Sequence, residues 1–245
     1  MNGGFSNIVL IIALVGCTGL ARGEGASREV PAEAKELLKG VTWFMQSAVR
    51  IEGEKIVYVD PYRLGSVKQD ADIILLTHSH GDHLSPPDIQ KIAKDNTVFV
   101  CPKDERCLSA LKGKNVRTVA PGDKLEIGGV KIAAVPAYNP EKPYHPKSNS
   151  WVGYIVQVGG RRFYFAGDTD FIPEMKDIEA DIAFLPVGGK YTMNATEAAE
   201  AAKVIKAKYF VPYHGGGMTV GSKEDIETFC AACTKAVVMQ PQGAR

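Results

Sequence analysis

The sequence has almost no excess of charge. Among its 245 residues, 29 Lys and Arg stand against 28 Asp and Glu, so the formal net charge is +1. A nucleic-acid-binding domain usually carries a clear basic excess, which attracts it to the phosphate backbone. We therefore expect no nucleic-acid partner. The 45% hydrophobic and 23% charged content is that of an ordinary globular domain.

At its N-terminus the sequence lacks an apolar run long enough to cross a membrane. The run Ile8–Val15 is far short of the roughly 20 residues that a spanning helix needs. It is typical of a secretory signal, and the segment that ends at Cys17 resembles a lipoprotein cleavage site. We interpret residues 1–25 as a signal peptide. This predicts a cell-envelope or secreted protein, with a lipid at Cys17 as its attachment to the membrane.

Two features of this segment leave alternatives open. Residues 1–7 contain no Lys or Arg, although a signal peptide usually begins with positive charge. Ala21-Arg22-Gly23 also permits ordinary cleavage without a lipid. If the segment is not a signal, the protein would be cytoplasmic. In either case no repeat or low-complexity linker divides residues 26–245, which we interpret as one catalytic domain.

Cysteine is scarce. Besides Cys17 there are four: Cys101, Cys107, Cys230 and Cys233. A structural zinc site usually takes four ligands, so the single C-x-x-C at the end of the chain is weak evidence for zinc. It lies in a predicted helix, where it is expected to line an apolar face. In an oxidising compartment the 101–107 pair could form a disulfide, which the sequence leaves open.

Strand and helix patterns alternate along the chain. Strands are predicted at 41–51, 55–59, 72–77, 97–100, 116–119, 124–127, 130–135, 151–158, 161–165, 181–186, 209–211 and 237–238. Helices are predicted at 30–38, 85–93, 103–111, 195–206 and 222–233. Ser85 and Asn194 are the expected N-caps of two of them. This α/β (α+β) pattern predicts two sheets that are covered by helices on their outer faces.

Histidine is also scarce, and it is clustered. Of five histidines, His78, His80 and His83 lie within six residues, directly after a predicted buried strand. In an extended loop His78 and His80 project to one side. Asp82 and His83 follow as the chain turns, and they can face the same space from another direction. One such run can therefore begin two adjacent metal sites.

The remaining histidines and two aspartates lie on loops near strand ends. Asp60, Asp168 and His214 each follow a predicted strand closely, and His145 lies in a proline-rich loop at 138–147. Taken singly, each aspartate and His214 would more often be a turn residue. Taken with the histidine run, they indicate a metal site at the ends of the strands.

These motifs together resemble the metallo-β-lactamase superfamily. The run Thr77–His83, followed by Gly167-Asp168-Thr169 and a late His214, carries the resemblance, which covers residues 41–240. It is nearest the stand-alone metal-dependent hydrolases that include ascorbate-6-phosphate lactonase and N-acylphosphatidylethanolamine phospholipase D. The resemblance implies a four-layer αββα sandwich with its site at one edge of the two sheets.

The same resemblance implies a ligand set for two metal ions. It assigns the first ion to His78, His80 and His145, the second to Asp82, His83 and His214, and both to Asp168. Asp60 matches an acidic motif that orients the histidine loop. We take Asp82, His214 and Asp60 as the catalytic candidates. One departure is Met45-Gln46, where many relatives have Gly-His. That position is not a ligand, so the difference bears on substrate selection.

These residues predict a metal-dependent hydrolase. Two divalent ions, expected to be zinc with manganese or iron open, would activate a hydroxide against a small-molecule ester, lactone or amide. A phosphodiesterase acting on a phospholipid or nucleotide is the first alternative, and a non-catalytic metal-binding protein the second. The sequence leaves a homo-oligomer open. Five loop residues are candidates for binding an anionic substrate: Tyr144, Lys147, Asn149, Lys190 and Tyr191.

Overall fold

Two six-stranded sheets form the centre of the molecule. The computed structural model describes residues 14–15, 29–215 and 222–243. The first sheet contains, in spatial order, β2 (Val41–Trp43), β3 (Val49–Glu52), β4 (Ile56–Val59), β5 (Ala71–Leu75), β6 (Ala93–Pro102) and β7 (Asn115–Val119). The second contains β8 (Lys124–Ile127), β9 (Val130–Pro136), β10 (Val152–Val158), β11 (Arg161–Phe165), β12 (Glu179–Pro186) and β13 (Lys206–Tyr213).

In the part of the chain that the structure describes, five α-helices accompany the sheets. They are α1 (Ala32–Leu37), α2 (Pro86–Ile92), α3 (Glu105–Ala110), α4 (Ala195–Val204) and α5 (Lys223–Ala232). Short 3-10 helices occur at Lys147–Asn149 and Pro173–Asp177. Two further strands, β1 (Leu14–Val15) and β14 (Val238–Met239), pair antiparallel. Within the described residues, no helix has the length and apolar character to cross a membrane.

Three apolar clusters separate four layers. The central cluster lies between the sheets and includes Val59, Leu75 and Phe165. A second cluster packs α4 and α5 on the outer face of the second sheet, and a third packs α2 and α3 on the outer face of the first. In β5, Ile73 belongs to the central cluster and Ile74 to the outer one, because successive side chains point to opposite faces. The predicted αββα sandwich is confirmed.

The strand directions bring several strand ends to one edge. Strands β4 to β7 are parallel to one another, and so are β11 to β13. Directly after β5, the Thr77 carbonyl accepts a hydrogen bond from Val152 N of the second sheet at 3.2 Å. The Tyr154 hydroxyl donates to the Leu76 carbonyl at 2.9 Å. These bonds hold the loop after β5 against the other sheet.

One predicted element was wrong. Residues 41–51 are not a single strand, because the chain reverses between β2 and β3, which pair antiparallel. Gln46 has a left-handed φ of 49°, and Phe44 N donates to the Ala48 carbonyl at 2.8 Å across the turn. The residues on both sides are β-branched or aromatic, so the local pattern resembled one strand. The reversal depends on pairing that composition does not reveal.

Several boundaries of helices and strands also differ from the prediction. The helix predicted through residue 206 ends at Val204, and Lys206 already begins β13. Asn194 is the N-cap of α4 and forms a capping box with Glu197, as predicted. Ser85 lies at the N-cap of α2, but its hydroxyl donates to Asp88 rather than capping the backbone.

The cysteine predictions are partly within the described residues. Cys101 in β6 and Cys107 in α3 are buried free thiols. Cys230 and Cys233 are buried around the end of α5, and Cys233 packs in the apolar cluster on the outer face of the second sheet, as predicted. Cys17 and the rest of the predicted signal peptide, apart from Leu14–Val15, lie outside the described residues.

Candidate metal centre

The seven predicted ligands come together at the edge where the strands end. His78, His80, Asp82 and His83 follow β5, His145 precedes a 3-10 helix, Asp168 follows β11, and His214 follows β13 directly. Their ligand atoms form groups within 4.8 Å of one another. We call His78, His80 and His145 the first ligand group, and Asp82, His83 and His214 the second ligand group. A further group, His78 with His83 and Asp168, connects the two.

Two residues at this edge lie in sharp backbone turns directly after their strands. Asp60 follows β4 with a φ of 44°, and His214 follows β13 with a φ of 48°. A left-handed φ is uncommon for residues other than glycine, and it persists where the surrounding structure stabilises it. His214 N donates to the Gln46 carbonyl at 3.2 Å, which supports its turn from the neighbouring β2–β3 connection. The positions of these two residues therefore come with conformational strain in the backbone.

Asp168 lies between the two ligand groups. Its Oδ1 is 3.2 Å from His83 Nε2 and 3.2 Å from His214 Nε2. Its Oδ2 is 3.3 Å from His145 Nε2 and 3.9 Å from His78 Nε2. One carboxylate oxygen thus faces each group, which is the arrangement that a bridging ligand requires.

Asp60 lies behind the histidine loop. Its Oδ1 accepts from Thr77 N at 2.8 Å, and its Oδ2 accepts from Thr77 Oγ1 at 2.7 Å. The same Oδ2 is 2.7 Å from His83 Nδ1. A carboxylate only accepts, so Nδ1 carries a proton, and in the neutral ring Nε2 has the free lone pair that can bind a metal ion. The sequence analysis placed Asp60 among the catalytic candidates. Its contacts in the structure are those of a positioning residue, which orients Thr77 and His83.

Trp151 and Asp104 support the site and were not identified from the sequence. The Trp151 ring centroid is 4.9 Å from that of His78, 5.0 Å from that of His80 and 5.6 Å from that of His145. Asp104 Oδ2 accepts from Trp151 Nε1 at 3.0 Å and from Ser79 Oγ at 3.0 Å. Asp104 is also the N-cap of α3, and an aspartate before a helix was the available signal.

Burial and neighbouring charges shift the pKa values of the histidine ligands in opposite directions. Burial, reinforced by His83, holds the pKa of His78 well below its usual value, and burial with His145 lowers the pKa of His80. Burial would also lower the pKa of His83, but the carboxylates of Asp168 and Asp60 outweigh it and raise that pKa. His78 and His80 are therefore neutral imidazoles, the form that binds metal.

The donor atoms fit a metal ion. Within the described residues, five buried polar atoms at the centre have no hydrogen-bond partner: His83 Nε2, His145 Nε2, Asp168 Oδ1, His214 Nδ1 and His214 Nε2. A buried polar atom without a partner is costly, so a converging set of them indicates a ligand. Imidazole nitrogens and carboxylate oxygens together suit zinc, manganese or iron.

Two loops form the rim of the centre, residues 137–147 and residues 187–194, and we call them the first and second rim loops. Lys142 of the first donates to the Gly189 and Thr192 carbonyls of the second. The rings of Tyr144 and Tyr191 meet edge to face at 4.6 Å. The rim loops are thus joined by both polar and aromatic contacts.

The predicted substrate-binding residues divide into different environments. The Lys147 ammonium is 3.1 Å from Glu174 Oε1, so its charge is already paired. Lys190 Nζ is 5.0 Å from the Tyr191 ring centroid, and within the described residues it forms no salt bridge. Tyr144 is exposed, and Asn149 is exposed in the 3-10 helix that follows His145. Lys190 is therefore the rim cation that remains available to a ligand.

Comparison with known proteins gives a consistent result. A family model described as a Beta-lactamase superfamily domain matches residues 40–214. A UPF0173 metal-dependent hydrolase of Pyrococcus abyssi is 32% identical over 218 residues, which cover 82% of this chain and 96% of that protein.

Solved structures have the same fold. One from Parabacteroides distasonis, classed as a metal-dependent hydrolase, has 35% identity and a TM-score of 0.69, and the match covers 82% of this chain and 93% of the other. The metallo hydrolase Igni18 of Ignicoccus hospitalis has 22% identity and a TM-score of 0.67, with coverage of 83% and 95%. At that lower identity the second match bears on the fold alone.

Proposed function

Since the chain belongs to the metallo-β-lactamase superfamily and is a metal-dependent hydrolase, we propose that it hydrolyses a small-molecule ester, lactone or amide at a binuclear metal centre. The observation that carries the binuclear proposal is the position of Asp168. Its two carboxylate oxygens face different ligand groups, each at 3.2 or 3.3 Å from a buried Nε2 atom.

In this proposal the first ligand group would hold one divalent ion, the second would hold another, and Asp168 would offer one carboxylate oxygen to each. Ions bound there would supply Lewis acidity, lowering the pKa of a water molecule and polarising the substrate oxygen. Zinc is the ion we expect, because four of the five buried atoms without hydrogen-bond partners at the centre are imidazole nitrogens.

We assign the proton-transfer role to Asp82. Its side chain is 29% exposed, whereas that of His214 is 1% exposed, so Asp82 is the accessible member of the pair. Asp82 Oδ2 is 3.4 Å from His214 Nε2. Burial would raise the pKa of Asp82, but His83 and His214 outweigh burial and hold it well below its usual value. An ionised Asp82 can accept a proton from the attacking water and pass it to the leaving group.

A phosphodiester is the second candidate substrate, and Lys190 is the observation that favours it. This exposed ammonium belongs to the second rim loop and, within the described residues, has no salt-bridge partner. A phosphate or carboxylate group on the substrate would supply the missing negative charge. Substrates with and without such a group therefore belong in the same screen.

The proposal is tested by metal content and activity together. The full chain would be freed of metal with a chelator and reconstituted with zinc, manganese or iron. Lactones, nitrophenyl esters, anilides and bis-p-nitrophenyl phosphate would then be screened. We expect two ions per chain, and loss of hydrolysis in the double variant His80→Ala, Asp168→Ala. Asp123→Ala is the matched control, because Asp123 caps an exposed turn at Ala120.

Two results would contradict the proposal. One is a metal content below one ion per chain after reconstitution. The other is hydrolysis that survives in the double variant at the rate of the Asp123→Ala control.

Export to the cell envelope remains a separate proposal. It is supported by the apolar run before Cys17. Cleavage before Cys17 would also remove β1, a two-residue strand that pairs only with β14 within the described residues. When the full chain is expressed in a bacterial host, we expect it in the membrane fraction. We expect the Cys17→Ser variant in the soluble fraction. Equal distribution of the two would contradict lipid attachment.

A further inference from the structure

The side chain of Asn139 lies directly behind the metal-ligand candidate His145. The two residues are 4% and 1% exposed. Asn139 Oδ1 is 2.8 Å from His145 Nδ1 and accepts from the His145 backbone N at 3.0 Å. The backbone N of Asn139 donates to the His145 carbonyl at 2.8 Å. Three hydrogen bonds thus close the segment between these residues into a compact loop.

The orientation of the Asn139 amide follows from its partners. The backbone N of His145 is necessarily a donor, so the Asn139 atom facing it must be the oxygen. The amide nitrogen then faces the other way, where it donates to the Tyr191 carbonyl at 3.0 Å. Exchange of the two atoms would oppose donor to donor at His145 and acceptor to acceptor at Tyr191. One orientation is consistent with all three contacts.

This orientation determines the tautomer of His145. An amide oxygen only accepts, so His145 Nδ1 must carry the proton. Its Nε2 then has a free lone pair, and that atom is buried, without a hydrogen-bond partner, 3.3 Å from Asp168 Oδ2. Within the described residues, Asn139 is the side chain that accepts from His145 Nδ1. Asp60 has the corresponding place behind His83.

The second contact of Asn139 leads to the rim of the centre. Tyr191 belongs to the second rim loop, and its ring contacts Tyr144, the residue before His145. Lys142, between Asn139 and His145, donates to two carbonyls of the same loop and pairs with Asp170. The segment that presents His145 is therefore attached to the second rim loop at several points.

We propose that Asn139 is a positioning residue that fixes His145 as the Nδ1-protonated tautomer and ties its ring to the second rim loop through the Tyr191 carbonyl. The inference rests on the proposed function, because it takes His145 as a metal ligand. It extends that function by giving the first ligand group a neutral support that also contacts the loop where substrate is expected to bind.

Two variants separate the two contacts. Asn139→Asp keeps an acceptor for His145 Nδ1 but places a carboxylate oxygen against the Tyr191 carbonyl, which breaks the tie to the rim. Asn139→Leu has a similar volume and removes both hydrogen bonds. Asn115→Leu is the matched control, since it makes the same chemical change at an exposed position, the first residue of β7.

The test reads the tautomer directly in the full chain. Long-range proton–nitrogen NMR spectra of metal-free protein labelled with ¹⁵N-histidine would be recorded at alkaline pH. Zinc affinity would be measured by chelator competition. We expect the Nδ1-protonated form of His145 in the unchanged protein, in Asn139→Asp and in Asn115→Leu, and a mixture of tautomers in Asn139→Leu. Zinc affinity should fall about 10- to 100-fold in Asn139→Leu. In Asn139→Asp we expect a raised KM with zinc affinity retained.

The inference is overturned if His145 is protonated on Nε2 in the unchanged protein. It is also overturned if a folded Asn139→Leu keeps the tautomer and the zinc affinity of the control. If that variant does not fold, the spectrum of the unchanged protein still decides the tautomer. The proposed tie to the second rim loop is overturned if KM in Asn139→Asp equals that of Asn115→Leu. Since the NMR result needs no substrate, a failure of hydrolysis would be distinguished from a failure of this inference.

Discussion

Asp60 Oδ2 and His83 Nδ1 lie 2.7 Å apart, and both side chains are fully buried. Behind the other ligand group, Asn139 Oδ1 lies 2.8 Å from His145 Nδ1. Each group thus has one imidazole held by an oxygen acceptor from a different element of the fold. The acceptor behind His83 is a carboxylate, and it contributes to the raised pKa of that histidine. The acceptor behind His145 is neutral.

The Asp60→Asn variant should lose metal from the second ligand group. If the new amide oxygen accepts from Thr77 N, its NH2 group faces both His83 Nδ1 and Thr77 Oγ1, where a donor now meets the Nδ1–H. His83 would then move its proton to Nε2, which removes the lone pair that binds metal. We expect zinc affinity to fall about 10- to 100-fold, measured by chelator competition.

Asp123→Asn is the control for Asp60→Asn, because it makes the same chemical change in an exposed turn. Two zinc ions per chain with unchanged affinity in a folded Asp60→Asn variant would refute the positioning role of Asp60.

The Trp151→Phe variant should weaken the first ligand group. Phenylalanine keeps an aromatic ring near the histidines but removes the Nε1 hydrogen bond to Asp104, which then retains Ser79 as its side-chain donor. We expect a loss of about 1–2 kcal/mol in the free energy of unfolding by urea. Zinc affinity should fall several-fold, because the aromatic ring at position 151 is no longer held by Asp104 and supports the three histidines less firmly.

Tyr58→Phe is the matched comparison for Trp151→Phe. It removes one partly buried hydrogen bond, from Tyr58 to Asp70, on the outer face of the first sheet. It should lower stability to a similar extent and leave zinc affinity unchanged. An equal change of zinc affinity in both variants would mean that Trp151 acts through general stability alone.

The Lys190→Met variant should reduce the preference for anionic over neutral substrates. Removing this cation should lower kcat/KM for an anionic ester about 3- to 10-fold, since an ionic contact exposed to solvent is weak. The rate with a neutral ester of the same leaving group should not change. Lys147→Met is the control, because its charge is already paired with Glu174. Equal losses for the anionic and neutral esters would exclude Lys190 as an anion-binding residue.

Asp88 should make stability depend on pH. Its carboxylate accepts from Ser85, Lys91 and the backbone N of Arg63 and Leu64. Burial would raise the pKa of Asp88, but these donors, Lys91 first among them, outweigh burial and lower it. The stabilisation is therefore present above the unfolded pKa of about 3.9, and it is lost as pH falls through the lower folded value.

The Asp88→Asn variant tests this dependence by urea unfolding of metal-free protein. At neutral pH we expect a free energy of unfolding about 2 kcal/mol below that of the unchanged chain, because bonds to a charged acceptor are lost. The difference should narrow below pH 4 as Asp88 itself becomes neutral. A difference that stays constant from pH 7 to pH 3 would show that ionisation of Asp88 is not its source.

The sequence by itself determined what local chemistry governs. The histidine run, Asp168 and His214 each follow a strand whose apolar pattern is readable, so their place at strand ends was predictable. The capping box from Asn194 to Glu197 was predictable for the same reason, since its partners are three residues apart.

Only the tertiary structure decided which distant groups meet. It divided residues 41–51 between two paired strands, placed Asp60 behind His83, and brought Trp151 and Asp104 to the first ligand group. It also directed the two oxygens of Asp168 toward different groups of ligands. These contacts join residues far apart in the chain. Their geometry comes from how two sheets pack and how loops turn, which no local pattern of side chains encodes.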